Sequence, residues 1–223
     1  MKIDVLDFDG DTNIGLYGIQ IGNQLLLGNS ITNKHDKKIK NTTGLDIKRF
    51  SIAGTDLLGV FGVNISNKLL LPHITFESEY KKFQAEGFNP ILINTNNTCL
   101  GNNIIDAGDK VYVSNYMEEK AIKQIQKVTG KATEILNLGE YPNIGSTLVI
   151  GEKKAIASNS YELKEREIIK KALKQEVEFV SVSMGSPYLK SGILKSKSGL
   201  LISKISGGPE LNAIEQGLNE ENE

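Results

Sequence analysis

The stretch LLGVFGVNISNKLLLP, residues 57–72, places Gly59 eight residues ahead of a turn at Asn67, with the apolar run Leu69–Leu71 and Pro72 beyond it. This spacing recurs along the chain. Gly15, Gly59, Gly101, Gly145 and Gly192 stand 44, 42, 44 and 47 residues apart. Asn23, Asn67, Asp109 and Lys153 follow four of them at the same distance, and Gly199 follows the fifth one residue sooner. Apolar runs come next at Leu25–Leu27, Leu69–Leu71, Val111–Val113, Ala155–Ala157 and Leu200–Ile202. A period of this length marks units that cannot bury a core alone and must pack on their neighbours. Five such units predict one domain rather than two.

Each unit reads strand, turn, strand, helix, strand. In the second, Gly59 to Ile65 alternates as a strand, and Thr75 to Glu86 forms a helix with Phe76, Tyr80 and Phe83 on one face. Helices are expected at 34–41, 75–86, 115–129, 160–174 and 208–218. The third turns Met117, Ala121, Ile125 and Val128 to one side; the fourth turns Leu163, Ile168, Ile169, Ala172 and Leu173. The first carries one apolar residue, Ile39. Third strands follow four helices, at 45–52, 89–95, 132–138 and 177–184. None follows the fifth, whereas the apolar segment Ile3–Phe8 stands unassigned at the other terminus. Closure of the fifth unit by strand 3–8 gives a closed α/β ring with strands inside and helices outside. The units are expected at about 9–52, 53–95, 96–138, 139–184 and 185–218, within a single domain 1–218. Residues 219–223 form a short acidic tail.

Charged residues make up 24% of the chain and net charge is −1, which argues against a protein whose main task is wrapping nucleic acid. No apolar run suits a membrane span, and the acidic start MKIDVLDFDGD does not suit a signal peptide. Cys99 is the only cysteine, so no internal disulfide forms; this fits a reducing cytoplasm. The expectation is a cytoplasmic, monomeric protein with no cofactor, no metal and no small-molecule substrate.

Several motifs in order resemble the archaeal translation initiation factor 6 family: Ser51-Ile52-Ala53-Gly54 with Leu58-Gly59, Asn67-Lys68-Leu69-Leu70-Leu71-Pro72, Leu100-Gly101-Asn102, Asn143-Ile144-Gly145-Ser146, Gly185-Ser186-Pro187-Tyr188 and Gly208-Pro209-Glu210-Leu211. The resemblance covers about Asn13 to Leu218. It departs in the first unit, where 28–44 is rich in Asn and Lys. The resemblance implies the pentein fold, a five-fold pseudosymmetric α/β propeller. It also implies binding to the large ribosomal subunit, which blocks joining of the small subunit, and a role in late large-subunit maturation.

A glycine at one offset in every unit points to crowding near the axis. The glycine approaches and the Asn67-type turns fall at opposite ends of the strands, hence on opposite faces of a disc. On the glycine side stand Asn13, Asp56, Asn102, Asn143 and Tyr188. Amides both donate and accept, and tyrosine is a favoured interface anchor, so these residues are candidates for ribosome contact. The same asparagines could instead satisfy local turn backbone, and Tyr188 could pack between units. Lys190, Lys195 and Lys197 are less balanced by acids than the other lysines and are candidates for contact with ribosomal RNA.

Pentein enzymes that act on guanidino groups use a cysteine, a histidine and carboxylates, which makes such an enzyme the alternative reading. Here Cys99 lies in the third unit, whereas the enzymes place their cysteine in the last. It reads as a small buried residue. His35 is expected exposed on the first helix and His73 in a loop, on different units and outside any metal-binding spacing. The glycines before Pro209 lack the Lys-Ser/Thr of a nucleotide loop.

Overall fold

The computed structural model describes residues 1–139 and 141–219. Of the expected acidic tail, residues 220–223 lie outside the described residues. Five three-stranded sheets follow one another around an axis. In the first, Gly18–Ile21 pairs antiparallel with Gln24–Gly28, which pairs parallel with Asp46–Phe50. The antiparallel step needs only a tight turn. The parallel step needs a crossover, supplied by helix α1 (Asp36–Thr43). The next three sheets repeat this order with crossover helices α2 (Glu77–Ala85), α3 (Glu119–Thr129) and α4 (Leu163–Leu173). In the fifth sheet, Ile193–Lys195 pairs antiparallel with Gly199–Ser203, and helix α5 (Gly208–Leu218) follows. The third strand of that sheet is Lys2–Leu6, parallel in register from Lys2 opposite Gly199 to Leu6 opposite Ser203.

The cores lie between units. Ile19, Leu26 and Phe50 of the first pack with Leu58, Leu71 and Phe83 of the second, where the Phe50 and Phe83 rings stack 4.2 Å apart. Leu6 and Phe8 join Ile14, Leu25 and Ile39 to Leu194 and Leu201, so first and last units share a core as well. Each interface buries several Leu, Ile or Phe side chains, at roughly 1.5–3 kcal/mol each. No unit has that burial by itself.

The structure differs from the sequence expectation at the start of each unit. Where a strand was expected from Gly59, the chain makes one helical turn, Leu58–Phe61, and the strand spans Val63–Ile65. Equivalent turns are Ile14–Tyr17, Leu100–Asn103, Ile144–Thr147 and Leu189–Gly192. The residue before each has nearly the same backbone, from Asn13 (φ −85, ψ 52) to Tyr188 (φ −89, ψ 74). These five axial turns touch in cyclic order around the axis.

That alignment corrects the fifth glycine. The repeat position is occupied by Gly15, Gly59, Gly101, Gly145 and Lys190, not Gly192. A Cβ on Gly59 would overlap the carbonyl oxygen of Gly15; on Gly101, that of Gly59; on Gly145, that of Gly101; and on Gly15, that of Lys190. Close approach of neighbouring backbones is therefore what the glycines permit.

Helix faces also differ in detail. Phe76 is not on the buried face of α2: it sits just outside the helix and is 55% exposed, while Phe83 is fully buried. Leu163 and Ile168 point outward from α4, and Ile169 and Leu173 point inward, as a 100° step per residue requires. In α1, Ile39 is fully buried, and Arg49 holds Asp36 through two bonds of 2.6 and 3.1 Å.

Candidate functional site

Strand direction sets the two faces. Each first strand leaves its axial turn, and the second and third strands return toward it. The axial turns, the segments after the returning strands and the helix N-termini therefore share one face. The hairpin turns and helix C-termini share the other.

On the first face the axial turns surround a cup of about 370 Å³, lined by Asn13, Asn102, Asn143, Tyr188 and Lys190 among others. Four of the five sequence candidates thus come together. Asp56 does not: its carboxylate accepts a bond from the Ser30 N–H at 3.3 Å, and its backbone presses on Gly28, away from the cup. Asn13, Asn143 and Tyr188 occupy one repeat position, just before the turn, shared with Leu57 and Cys99. Asn102 stands three residues further on.

The asparagines divide in what they bond. Asn13 is tied locally, its N–H and Nδ2 both donating to Asp11. Tyr17 donates to the other oxygen of Asp11 at 2.5 Å, and that bond, with burial, pushes the Tyr17 hydroxyl up to about 12. Among the described residues, nothing bonds the side-chain amides of Asn102 and Asn143, which open into the cup. The turns are braced by hydroxyls instead: Ser146 donates to the Asn143 carbonyl and Ser191 to the Tyr188 carbonyl, both at 2.7 Å.

The three candidate lysines separate. Lys190 turns inward, and its ammonium donates to the carbonyls of Gly59 at 2.9 Å and Gly101 at 2.8 Å, fully across the ring. The residue is half-buried overall, but the ammonium is enclosed, and burial lowers its pKa to about 8. Both bonds hold it at the ring, so it does not project as a surface lysine does. Lys195 and Lys197 stand at the other face, beside a cavity of about 640 Å³ that Asn23 and Asn67 also line. Lys195 donates to the Ile150 carbonyl, and Lys197 pairs with Glu152.

Cys99 lies at the third axial turn and is partly buried, and burial pushes its thiol up, away from the thiolate a nucleophile needs. Neither histidine faces it. His35 is not exposed as expected: its ring packs edge-on against Phe8 and is held below its ordinary pKa by burial. His73 is exposed in a loop, where its backbone N–H donates to Ile93. No group of three potential metal ligands occurs among the described residues, and no helix among them is long and apolar enough to cross a membrane.

Large apolar side chains left in solvent also gather on the cup's face. Phe76, Tyr116, Leu163, Met184, Tyr188 and Ile205 are all exposed there, Met184 by 80%. Sequence reasoning missed Met184 and Ile205. Both sit in turns beyond the strands Glu176–Val180 and Gly199–Ser203, where no periodicity marks them.

Solved structures similar in fold are pentein enzymes. The N-terminal domain of a cyanobacterial arginine dihydrolase bound to substrate superposes with a TM-score of 0.58 at 12% identity, covering 83% of this chain and 75% of that one. A dimethylarginine dimethylaminohydrolase adduct gives 0.56 at 12% identity, covering 83% and 78%. At that identity the likeness concerns fold alone. In sequence, the translation initiation factor 6 of Pyrobaculum aerophilum is 29% identical over 210 residues, spanning 94% of this chain and 95% of that protein. That of Staphylothermus marinus is 25% identical over 223 residues. The eIF-6 family profile matches residues 3–217, and the chain belongs to that family.

Proposed function

We propose that this protein binds the large ribosomal subunit through the face that carries the axial cup, and so keeps the small subunit from joining prematurely. A role in late maturation of the large subunit accompanies that binding. Membership of a family of translation initiation factors places the chain in translation. The observation that carries the choice of face is the gathering of exposed apolar residues around a polar cup. A rigid disc needs such a surface to dock, and large apolar residues in solvent mark interaction surfaces. No chemistry is required of it, consistent with a protonated, partly buried Cys99 that no histidine faces.

Co-sedimentation with separated large and small subunits from one source tests the reading. The protein is expected to pellet with the large subunit only. The bound fraction should fall modestly between low and physiological salt, because few phosphates are neutralised. Pelleting with the small subunit alone, or a salt slope fitting six or more phosphate contacts, would overturn it.

A further inference from the structure

We propose that the axial cup is a binding site for one carboxylate, or a small oxyanion of the same charge, with the Lys190 ammonium as its counter-charge. Four of the five equivalent positions are glycine, so Lys190 is the one side chain the repeat sends into the neck of the ring. An ammonium has three N–H donors. Two go to the Gly59 and Gly101 carbonyls; among the described residues nothing takes the third, and no carboxylate pairs with the charge. Carbonyl dipoles offset part of the cost of enclosing a cation but leave its charge uncancelled.

The cup supplies the rest of an anion site. Among the described residues Lys190 is the only charged one in its lining, and Gly59, one of its two acceptors, lines the same cavity. Asn102 and Asn143 present amide groups with no bond among the described residues, and an amide NH₂ donates well to a carboxylate oxygen. One ammonium balances a monoanion, whereas a dianion would leave surplus charge among the ring carbonyls. The carboxylate could be a free small molecule or an acidic side chain on the docked partner. The chemistry at Lys190 is the same for both.

The test is an acetate titration of the intact free protein at constant ionic strength, following the side-chain amide signals of Asn102 and Asn143 by NMR. A saturable shift is expected in the wild type, weakened at least ~10-fold, about 1.4 kcal/mol, in Lys190→Met and retained in Lys190→Arg. Should Lys190→Met fail to melt cooperatively, Asn102→Asp serves instead: it adds a carboxylate at the mouth and should abolish the shift. No saturable shift in the wild type, or an equal one in Lys190→Met or Asn102→Asp, would overturn the proposal. The titration contains no ribosome, so it stands or fails apart from the docking reading. With binding established, sedimentation with large subunits in saturating acetate assigns the source. Release points to an acidic side chain of the partner, and retention to a free carboxylate.

Discussion

The ammonium of Lys190 donates to the carbonyl of Gly59, 2.9 Å away and 131 positions earlier in the chain. With its second bond, to Gly101, it fastens the last unit to the second and third across the axis. The bonds do not fully replace water, so the native state holds the proton less tightly than the unfolded chain does. Native Lys190 titrates at about 8, against an ordinary 10.5.

The sign of the pH effect follows. Below about pH 8 both states are protonated, and the difference between wild type and Lys190→Met is flat. Between about 8 and 10.5 the native protein releases a proton that the unfolded chain keeps, so the wild type gains stability relative to the variant, by less than ~3 kcal/mol. Denaturant melts of both proteins at several pH values measure this. A difference that stays constant would show that the ammonium is solvated, and one that moves against the wild type would show that the folded protein stabilises its charge.

Gly59→Ala should destabilise by ~3 kcal/mol or more, because its Cβ would overlap the Gly15 carbonyl and the neighbouring backbones cannot part without opening the ring. Gly87→Ala is the control. Gly87 has φ +88 with open space around it, so only left-handed strain is added, about 1 kcal/mol. Equal losses in chemical denaturation would mean that the axial glycines are there for backbone conformation and not for close approach.

The glycine spacing that sets the repeat is legible in sequence because close packing of backbones excludes every other residue. The axial turns were not, since one helical turn is too short to show a 3.6-residue period. The fifth unit misled for a related reason. Gly192 looks like the repeat glycine but falls two residues past it, at the position of Tyr17, Phe61, Asn103 and Thr147. Lys190 looked like a surface lysine because long basic side chains ordinarily seek water. Only the ring geometry shows that two backbone carbonyls await it.

A carboxylate clamp repeats at the rim. Glu79 accepts bonds from the N–H groups of Ala53, Gly54 and Phe76, and Glu210 accepts from those of Met184, Gly185 and Gly207 and from the Ser181 hydroxyl. Ala53 and Met184 have φ of +53 and +63, and the clamps hold these left-handed turns closed. Burial raises the Glu210 pKa, but the four donors outweigh it and the carboxyl titrates below its ordinary value. Glu210→Gln should cost ~1–2 kcal/mol at neutral pH. The stability from the lowered pKa is fully present above the ordinary carboxyl range. It is lost as pH falls through the lowered native value, so wild type and variant should converge only in acid below the ordinary carboxyl range. Persistence of the full difference in acid would mean that the charge is not what holds the turn.

The face assignment gives the final prediction. Asn102→Glu places an acidic group in the cup, and Tyr188→Glu removes an aromatic ring that is 46% exposed at its edge. Neither side chain supports a core, so both variants should melt cooperatively near the wild-type temperature. Each is expected to weaken large-subunit binding at least ~10-fold, since loss of an interface anchor typically costs more than about 1.4 kcal/mol. Asn67→Glu and Lys153→Glu alter hairpin turns at the opposite ends of the strands. Binding there should stay within ~2-fold of wild type, because no surface of the proposed interface is touched. Sedimentation of all four at one salt concentration separates the outcomes. Loss confined to Asn67→Glu and Lys153→Glu would invert the face. Normal binding by all four would move the contact to the outer helices, where the lysines of α3 and α4 offer the denser positive surface.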